Sequence, residues 1–206
     1  HGNLGFWNEI FFMDSDGSNV TRLTEDPAKD RRPNYSTDGK KIVFHSDRDG
    51  DMELYIMDHD GSNLLPVTDN ARYDCCASWS PDDSKLVFTG DGPGGPGEIY
   101  TINVDCTGEK NLTNDPGWDA HPAWSPVGNQ IAFESTRSGQ SEIYLMRTDG
   151  SGLHNLTNHP GHDFNPAWSP DGGAIAFASI RENSGAWDIY SMMADGSKQT
   201  NLTNAA

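Results

Sequence analysis

An acidic residue followed by an apolar residue and an aromatic recurs five times along the chain: Glu9-Ile10-Phe11, Glu53-Leu54-Tyr55, Glu98-Ile99-Tyr100, Glu142-Ile143-Tyr144 and Asp188-Ile189-Tyr190. The steps between them are 44, 45, 44 and 46 residues, a period typical of sheet-forming repeats that bury their faces against neighbours of the same kind. One unit is copied almost end to end, and any fold for this chain must stack such units.

Three further columns keep the same step. One is an aromatic followed by turn residues: Tyr35-Ser36-Thr37-Asp38-Gly39, Trp79-Ser80-Pro81-Asp82-Asp83, Trp124-Ser125-Pro126-Val127-Gly128 and Trp168-Ser169-Pro170-Asp171-Gly172. The next is an apolar run, Ile42-Val43-Phe44, Leu86-Val87-Phe88, Ile131-Ala132-Phe133 and Ile175-Ala176-Phe177. The last is a Leu/Val-Thr pair at Leu23-Thr24, Val67-Thr68, Leu112-Thr113, Leu156-Thr157 and Leu202-Thr203.

In the fourth copy, Pro166 to Ser169 reads as a first strand, a, and Pro170-Asp171-Gly172 as a tight hairpin. Ala174 to Ser179 is strand b, apolar enough to be covered on both faces. Asp188 to Met193 alternates as a half-covered strand c. Asp195-Gly196 turns the chain, and Asn201 to Thr203 forms d. No stretch has helical periodicity. A four-stranded antiparallel meander leaves its aromatics half exposed on its own, whereas meanders arranged radially shield one another, so the predicted fold is an all-β propeller. The strand-a Trp and strand-b Phe are expected to pack between blades.

The chain reads as a single domain, residues 1–206, with repeats at about 1–24 (partial), 25–68, 69–113, 114–157 and 158–206. Strands a and b that would precede Glu9 fall before His1, which leaves four full blades and a c-d half blade. Open sheet edges are normally paired or covered. The expectation is therefore a piece of a larger propeller, or a ring completed by a second copy as a homo-oligomer. A chain opening at His1 rather than Met also points to an upstream segment removed, as a cleaved leader or at an artificial boundary.

Written as a consensus, the repeat is Leu-Thr, a loop with Asp, Pro-x-Trp-Ser-Pro-Asp-Gly, Ile-Ala-Phe, Ser-x-Arg and Glu-Ile-Tyr-x-Met-x-x-Asp-Gly. It resembles the TolB-type β-propeller repeat over essentially the whole chain, most fully at Pro166-Ala167-Trp168-Ser169-Pro170-Asp171-Gly172, Ser135-Thr136-Arg137 and Glu142-Ile143-Tyr144-Leu145-Met146. Tyr35, Thr37, Ala77 and Val127 depart from it. The resemblance implies a non-catalytic scaffold that binds a protein or peptide in an exported bacterial setting, periplasmic or at the cell surface. Related repeats also occur in peptidases and polysaccharide-degrading proteins, so a carbohydrate-binding or accessory propeller of a larger hydrolase, lyase or peptidase is the alternative.

With 31 acidic and 14 basic residues the formal charge is −17, which excludes the clustered Lys and Arg that nucleic-acid binding requires. No apolar run is long enough to insert in a membrane as a helix. Three cysteines form no disulfide framework. In an extended segment Cys75 and Cys76 would alternate faces, so at most one could reach Cys106. No zinc pattern, nucleophile elbow or cysteine with a matched histidine is visible, so no cofactor, metal or catalytic residue is assigned. Asp47, Asp49, Asp51 and Glu53 read as an acidic b-to-c turn, with calcium binding as the alternative, although an EF-hand loop would need a twelfth-position Glu and flanking helices.

The a-to-b and c-to-d turns are tight, and the opposite face carries the long loops, where function belongs. Five residues before each strand-a aromatic lies an Asp: Asp30, Asp74, Asp119 and Asp163. These carboxylates either converge on a cation or basic group at the channel mouth, or each fixes its own d-to-a loop, the reading preferred on framework grounds. Their flanks vary between copies: Lys29, Tyr73, Trp118 and His162 before, Arg31, Cys75, Ala120 and Phe164 after. The candidate ligand-binding set is Lys29, Asp30, Arg31, Tyr73, Asp74, Trp118, Asp119, His121, His162, Asp163 and Phe164. The exposed aromatics suit a peptide or a sugar ring.

Overall fold

The computed structural model describes residues 8–91, 95–181 and 186–203, and among them every regular element is a strand. A two-stranded ribbon, β1 (Phe11–Phe12) and β2 (Thr21–Arg22), is followed by four four-stranded antiparallel meanders. The first comprises β3 (Arg31–Tyr35), β4 (Lys41–Ser46), β5 (Glu53–Asp58) and β6 (Leu65–Pro66). The second comprises β7 (Tyr73–Trp79), β8 (Lys85–Asp91), β9 (Gly97–Asn103) and β10 (Lys110–Asn111). Next come β11 (Asp119–Trp124), β12 (Gln130–Ser135), β13 (Glu142–Arg147) and β14 (His154–Asn155). Last are β15 (His162–Trp168), β16 (Ala174–Ile180), β17 (Asp188–Met193) and β18 (Thr200–Asn201). These are the four blades and c-d half blade that the repeat implies.

The repeated apolar columns become four cores, each between successive sheets. Ile10 packs with Ile42, Phe44, Tyr55 and Met57; Val43, Leu54 and Ile56 meet Trp79, Leu86 and Phe88. Val87 and Ile99 meet Ile131, Phe133 and Tyr144, and Ala132, Ile143 and Leu145 meet Ile175, Phe177 and Tyr190. Phe44, Phe88, Phe133 and Phe177 are all fully buried, each contributing about 1.5–3 kcal/mol by leaving water. Trp79 and Trp168 also send their indole N–H to a backbone oxygen of the preceding blade, Asn34 and Ala123, both at 3.0 Å. Trp124 turns instead to Gly128 of its own hairpin, the copy in which Val127 replaces the turn aspartate.

The acidic and Leu/Val-Thr columns turn out to be one device. The backbone N–H of Ile10, Leu54, Ile99, Ile143 and Ile189 donates to the hydroxyl of Thr24, Thr68, Thr113, Thr157 and Thr203 at 2.9–3.0 Å. Those hydroxyls donate onward to the acid that opens strand c: Thr24 to Glu9, Thr113 to Glu98, Thr157 to Glu142 and Thr203 to Asp188. The pair latches strand d, too short to hold by its own ladder, to strand c.

Two local expectations are corrected. Strand a of the fourth copy begins at His162, not Pro166, because a β-bulge lets the chain pair upstream of the proline. The ladder skips between Phe164 and Ala167, and equivalently between Arg31 and Asn34, Cys75 and Ser78, and Ala120 and Ala123. The residue inside each bulge has positive φ: Arg32 (51°), Cys76 (60°), His121 (50°) and Asn165 (51°). Second, β16 alternates buried and partly buried residues, whereas β4, β8 and β12 are covered on both faces. Among the described residues no sheet follows the fourth, and Ile189, Met193 and Leu202 are exposed on it.

Candidate functional site

In each four-stranded sheet strand a is an edge, and the four edges line one axial cavity of about 440 Å³. Its wall includes the bulge residues Arg32, Cys76, His121 and Asn165. A bulge re-aims its side chain out of the pleat, so one repeat position presents four different side chains to the axis. The residue after each buried Phe lies beside them: His45, Thr89 and Glu134 are buried there, with Ala178 in the fourth copy. The blades are stitched at this level: the His121 N–H donates to Thr89 Oγ1 (3.0 Å) and the Asn165 N–H to Glu134 Oε2 (3.1 Å).

At the long-loop end a second cleft, about 250 Å³, opens between blades two and three. Tyr73, Trp118, Cys75, Cys76, Asp91 and His121 are in its wall. Cys76 and His121 belong to both walls. Tyr73 and Trp118 are 44% and 43% exposed; Tyr73 opens β7, whereas Trp118 is the last residue of the loop ahead of β11, its N–H bonded to Thr136 Oγ1 (2.7 Å).

The four aspartates do not converge. Each is at most 2% exposed and is met by a guanidinium of the chain itself. Arg48 Nη2 reaches both oxygens of Asp30 (3.0 and 3.1 Å), Arg137 Nη2 reaches Asp119 (2.6 Å), and Arg181 grips Asp163 through Nε (3.0 Å) and Nη2 (2.6 Å). These are the arginines of the Ser-x-Arg column. The second copy has Gly90 and Gly92 in that column, and there Arg72 meets Asp74 instead, with Nε 3.3 Å from Oδ1. Burial still raises the carboxyls of Asp74 and Asp119 above the ordinary range, against their hydrogen bonds and arginines. Their partners are side chains, the four arginines with Asn70 and Ser179, so these carboxylates serve the framework through charge pairs rather than by accepting loop N–H groups as expected.

Of the other predicted residues, Lys29 is tied to Asp47 (3.2 Å) and Arg31 is exposed at the start of β3. His162 stacks on Phe164 (5.8 Å between ring centres), which meets Trp187 at 5.0 Å, an aromatic ladder on blade four. Trp187, 56% exposed, is absent from the predicted set, as are Arg32, Cys76 and Asn165. The acidic turn disperses: Asp47 takes Lys29, Asp49 takes the Tyr55 hydroxyl, and Glu53 Oε1 accepts the Asn70 N–H (2.6 Å). Among the described residues no three His, Cys, Asp or Glu side chains are grouped to hold a metal.

The left-handed turn at Cys76 overrides the expected alternation and brings its Sγ 2.8 Å from Cys75 Sγ. Cys106 lies on blade two's c-to-d turn, 3.4 Å from the Pro66 carbonyl, and all three cysteines are free. His121 Nδ1 is 3.0 Å from Glu134 Oε2, at ion-pair distance though off hydrogen-bond alignment. Burial disfavours charge on His121, but its interactions with Cys76 and Glu134 prevail and lift it to about 9.

Stacked four-stranded blades around an axial cavity, with variable side chains at one end, define a β-propeller domain. The profile of the TolB beta propeller domain matches residues 5–115, 75–157 and 94–206, and the chain belongs to that family. Among solved structures it is similar to TolB from Acinetobacter baumannii, with 24% identity and a TM-score of 0.83 over 94% of this chain and 48% of that one. A putative TolB from Agrobacterium tumefaciens has 22% identity and a TM-score of 0.73 over 89% and 83%. A puromycin hydrolase shares the fold at 14% identity and a TM-score of 0.71, over 91% of this chain and 31% of the enzyme. The chain thus spans about half the length of the Acinetobacter protein. At these identities the likeness concerns fold alone, and the fold serves enzymes as well as TolB. No curated protein sequence matches the chain.

Proposed function

We propose that this domain is a non-catalytic binding module that takes a protein or peptide segment at its long-loop face, in a periplasmic or cell-surface setting. The observation that carries the reading is the set of four inner edge strands around the axial cavity, continuous through Cys76 and His121 with the Tyr73 and Trp118 cleft. Edge strands carry unpaired main-chain groups that an extended peptide can meet. Exposed aromatics at the mouth supply contact area at small entropic cost. Lys29, Arg31, His162 and Phe164 widen the same face, and the buried aspartates act only as its framework.

Peptide and glycan arrays probed with the whole domain, and with Tyr73→Ala and Trp118→Ala, test this reading. Peptide binding lost in both variants supports it. Binding restricted to glycans and lost in Trp118→Ala would replace it with the carbohydrate-binding alternative. Peptide binding indifferent to both substitutions would remove the long-loop face from consideration.

A further inference from the structure

At the tight-turn end of the domain, opposite the long-loop face, a cleft of about 550 Å³ lies between blades one and two. That volume falls within the range of about 300–1,000 Å³ usual for small-molecule sites. Ile56 and Val67 of blade one and Trp79 of blade two are buried in its wall, whereas Leu65, Val104 and Cys106 border it as exposed residues.

The next junction shows how unusual this lining is. Between blades two and three the corresponding space has Thr101, Lys110 and Thr148 at the positions of Ile56, Leu65 and Val104, and Lys110 crosses it to the Asp149 carbonyl (2.9 Å). Leu65 can make no such bond. Strand d opens with Thr21, Leu65, Lys110, His154 and Thr200 in the five copies, and Leu65 is the one apolar residue among them.

The c-to-d turn of blade two supplies an independent observation. Cys106 has a φ of 66° where the other four copies place glycine: Gly17 (84°), Gly61 (87°), Gly150 (89°) and Gly196 (83°). The last three press so closely on the preceding strand d that a Cβ would lie 2.8–2.9 Å from the backbone oxygen of Leu23, Leu112 or Leu156. Val67 is the repeat equivalent of those leucines. A side chain cannot be seated at that spacing, so the Cys106 turn stands off from strand d and the space beneath it, bordered by Val67 and Cys106, joins the cleft. Neither Leu112 nor Gly150 is in the wall of the polar counterpart. Non-glycine residues held at positive φ concentrate at ligand sites.

The charged groups around the cleft determine what it can hold. Lys40 is paired with Asp38 (2.8 Å) and Lys41 with Asp58 (2.9 Å). Asp83 accepts the N–H groups of Thr37 (2.7 Å) and Asp38 (3.0 Å), and Asp105 accepts that of Thr107 (3.1 Å). The Trp79 indole N–H is taken by the Asn34 carbonyl. Every charged residue of the wall thus has a partner within the chain, and an ion entering the cleft would lose water without gaining a counter-charge.

We propose that this cleft binds a small uncharged molecule built mainly of hydrocarbon, an aromatic or alicyclic ring compound seated against Ile56, Val67 and Trp79 beside Cys106. The site lies at the other end of the domain from the peptide-binding face and does not rest on that reading.

The whole domain is titrated with phenylnaphthylamine, an uncharged fluorophore, and in parallel with anilinonaphthalene sulfonate, which adds a fixed negative charge to the same rings. The expected result is one saturable site that takes the uncharged probe about tenfold more tightly than the sulfonate. Cys106 locates it: bound phenylnaphthylamine should slow iodoacetamide alkylation of Cys106, read by peptide mass mapping, by about tenfold at saturation. Leu65→Lys, an exposed change that copies Lys110, should weaken the uncharged probe by about tenfold. Ile189→Lys, on the exposed face of blade four, should leave its affinity unchanged. Absence of saturable binding, equal affinity for the sulfonate, alkylation of Cys106 indifferent to the probe, or binding lost in Ile189→Lys would each overturn the proposal. The alkylation measurement uses the unsubstituted chain, and its outcome is independent of peptide binding.

Discussion

The Arg72 guanidinium lies 4.3 Å from the centre of the Tyr100 ring. In the other three blades the matching slot, over the strand-c tyrosine, is filled by an arginine that follows strand b: Arg48 over Tyr55 (4.6 Å), Arg137 over Tyr144 (5.1 Å) and Arg181 over Tyr190 (5.0 Å). The second blade therefore keeps the cation, the ring beneath it and the buried aspartate beside it, but delivers the cation from the loop ahead of strand a.

Breaking this substitute pair tests its weight. Arg72→Ala leaves the Asp74 carboxylate buried, and should cost about 3 kcal/mol in urea unfolding at neutral pH. Because Asp74 is relieved once it takes a proton, the deficit should shrink as pH falls. A deficit independent of pH would mean that packing over Tyr100, not charge, is the larger part.

Glu53 makes stability depend on pH in the opposite sense from a surface carboxylate. Burial is the main cause that raises its carboxyl from 4.5 to about 6. Between those values the folded chain retains a proton that the unfolded chain has released, so this contribution is greatest below pH 4.5 and is lost as pH rises through about 6. Glu53→Gln should flatten the stability profile across that window by about 1.5 kcal/mol, read from denaturant midpoints at each pH.

The threonine latches should differ in strength by position. Thr157→Val strands the buried Ile143 N–H and leaves Glu142 Oε2 only the His159 N–H at 3.2 Å, and is expected to cost about 2 kcal/mol. Thr203 makes the same two bonds but is exposed, so water replaces them and Thr203→Val should cost under about 1 kcal/mol. Thermal unfolding of the two variants side by side gives the comparison.

Indoles with different burial should separate stability from recognition. Trp79 is 6% exposed, and Trp79→Ala should lower stability by about 3–5 kcal/mol. Trp118→Ala, at a residue 43% exposed, should stay within about 0.5 kcal/mol of the parent chain. A large loss at Trp118 would make it packing rather than contact surface.

Much of this fold is legible because the chain supplies five copies of its own pattern. The strand-c triplets and the Pro-Asp-Gly hairpins fall where the periodicity puts them, and the four phenylalanines are buried as expected. The start of strand a was not legible, since a bulge is usually announced by glycine and here its left-handed residues are Arg, Cys, His and Asn. That shift puts the axial position at the second residue after each aspartate rather than at its immediate neighbours. The trace it leaves in the sequence is the column Arg32, Cys76, His121 and Asn165, four dissimilar residues at one repeat position. The arginine partners of the aspartates were present in the Ser-x-Arg column, but spacing alone could not show that the two columns meet. Arg72 has no repeat equivalent and could emerge only in three dimensions.

The bulges have a consequence for how this scaffold can change. Each fixes the direction of its side chain through backbone torsion, while the blades cohere through layers one strand further out. Four sockets thus open on the axis whose contents can be exchanged individually without disturbing the masonry behind them. This single chain already displays a guanidinium, a thiol, an imidazole and an amide in the four places.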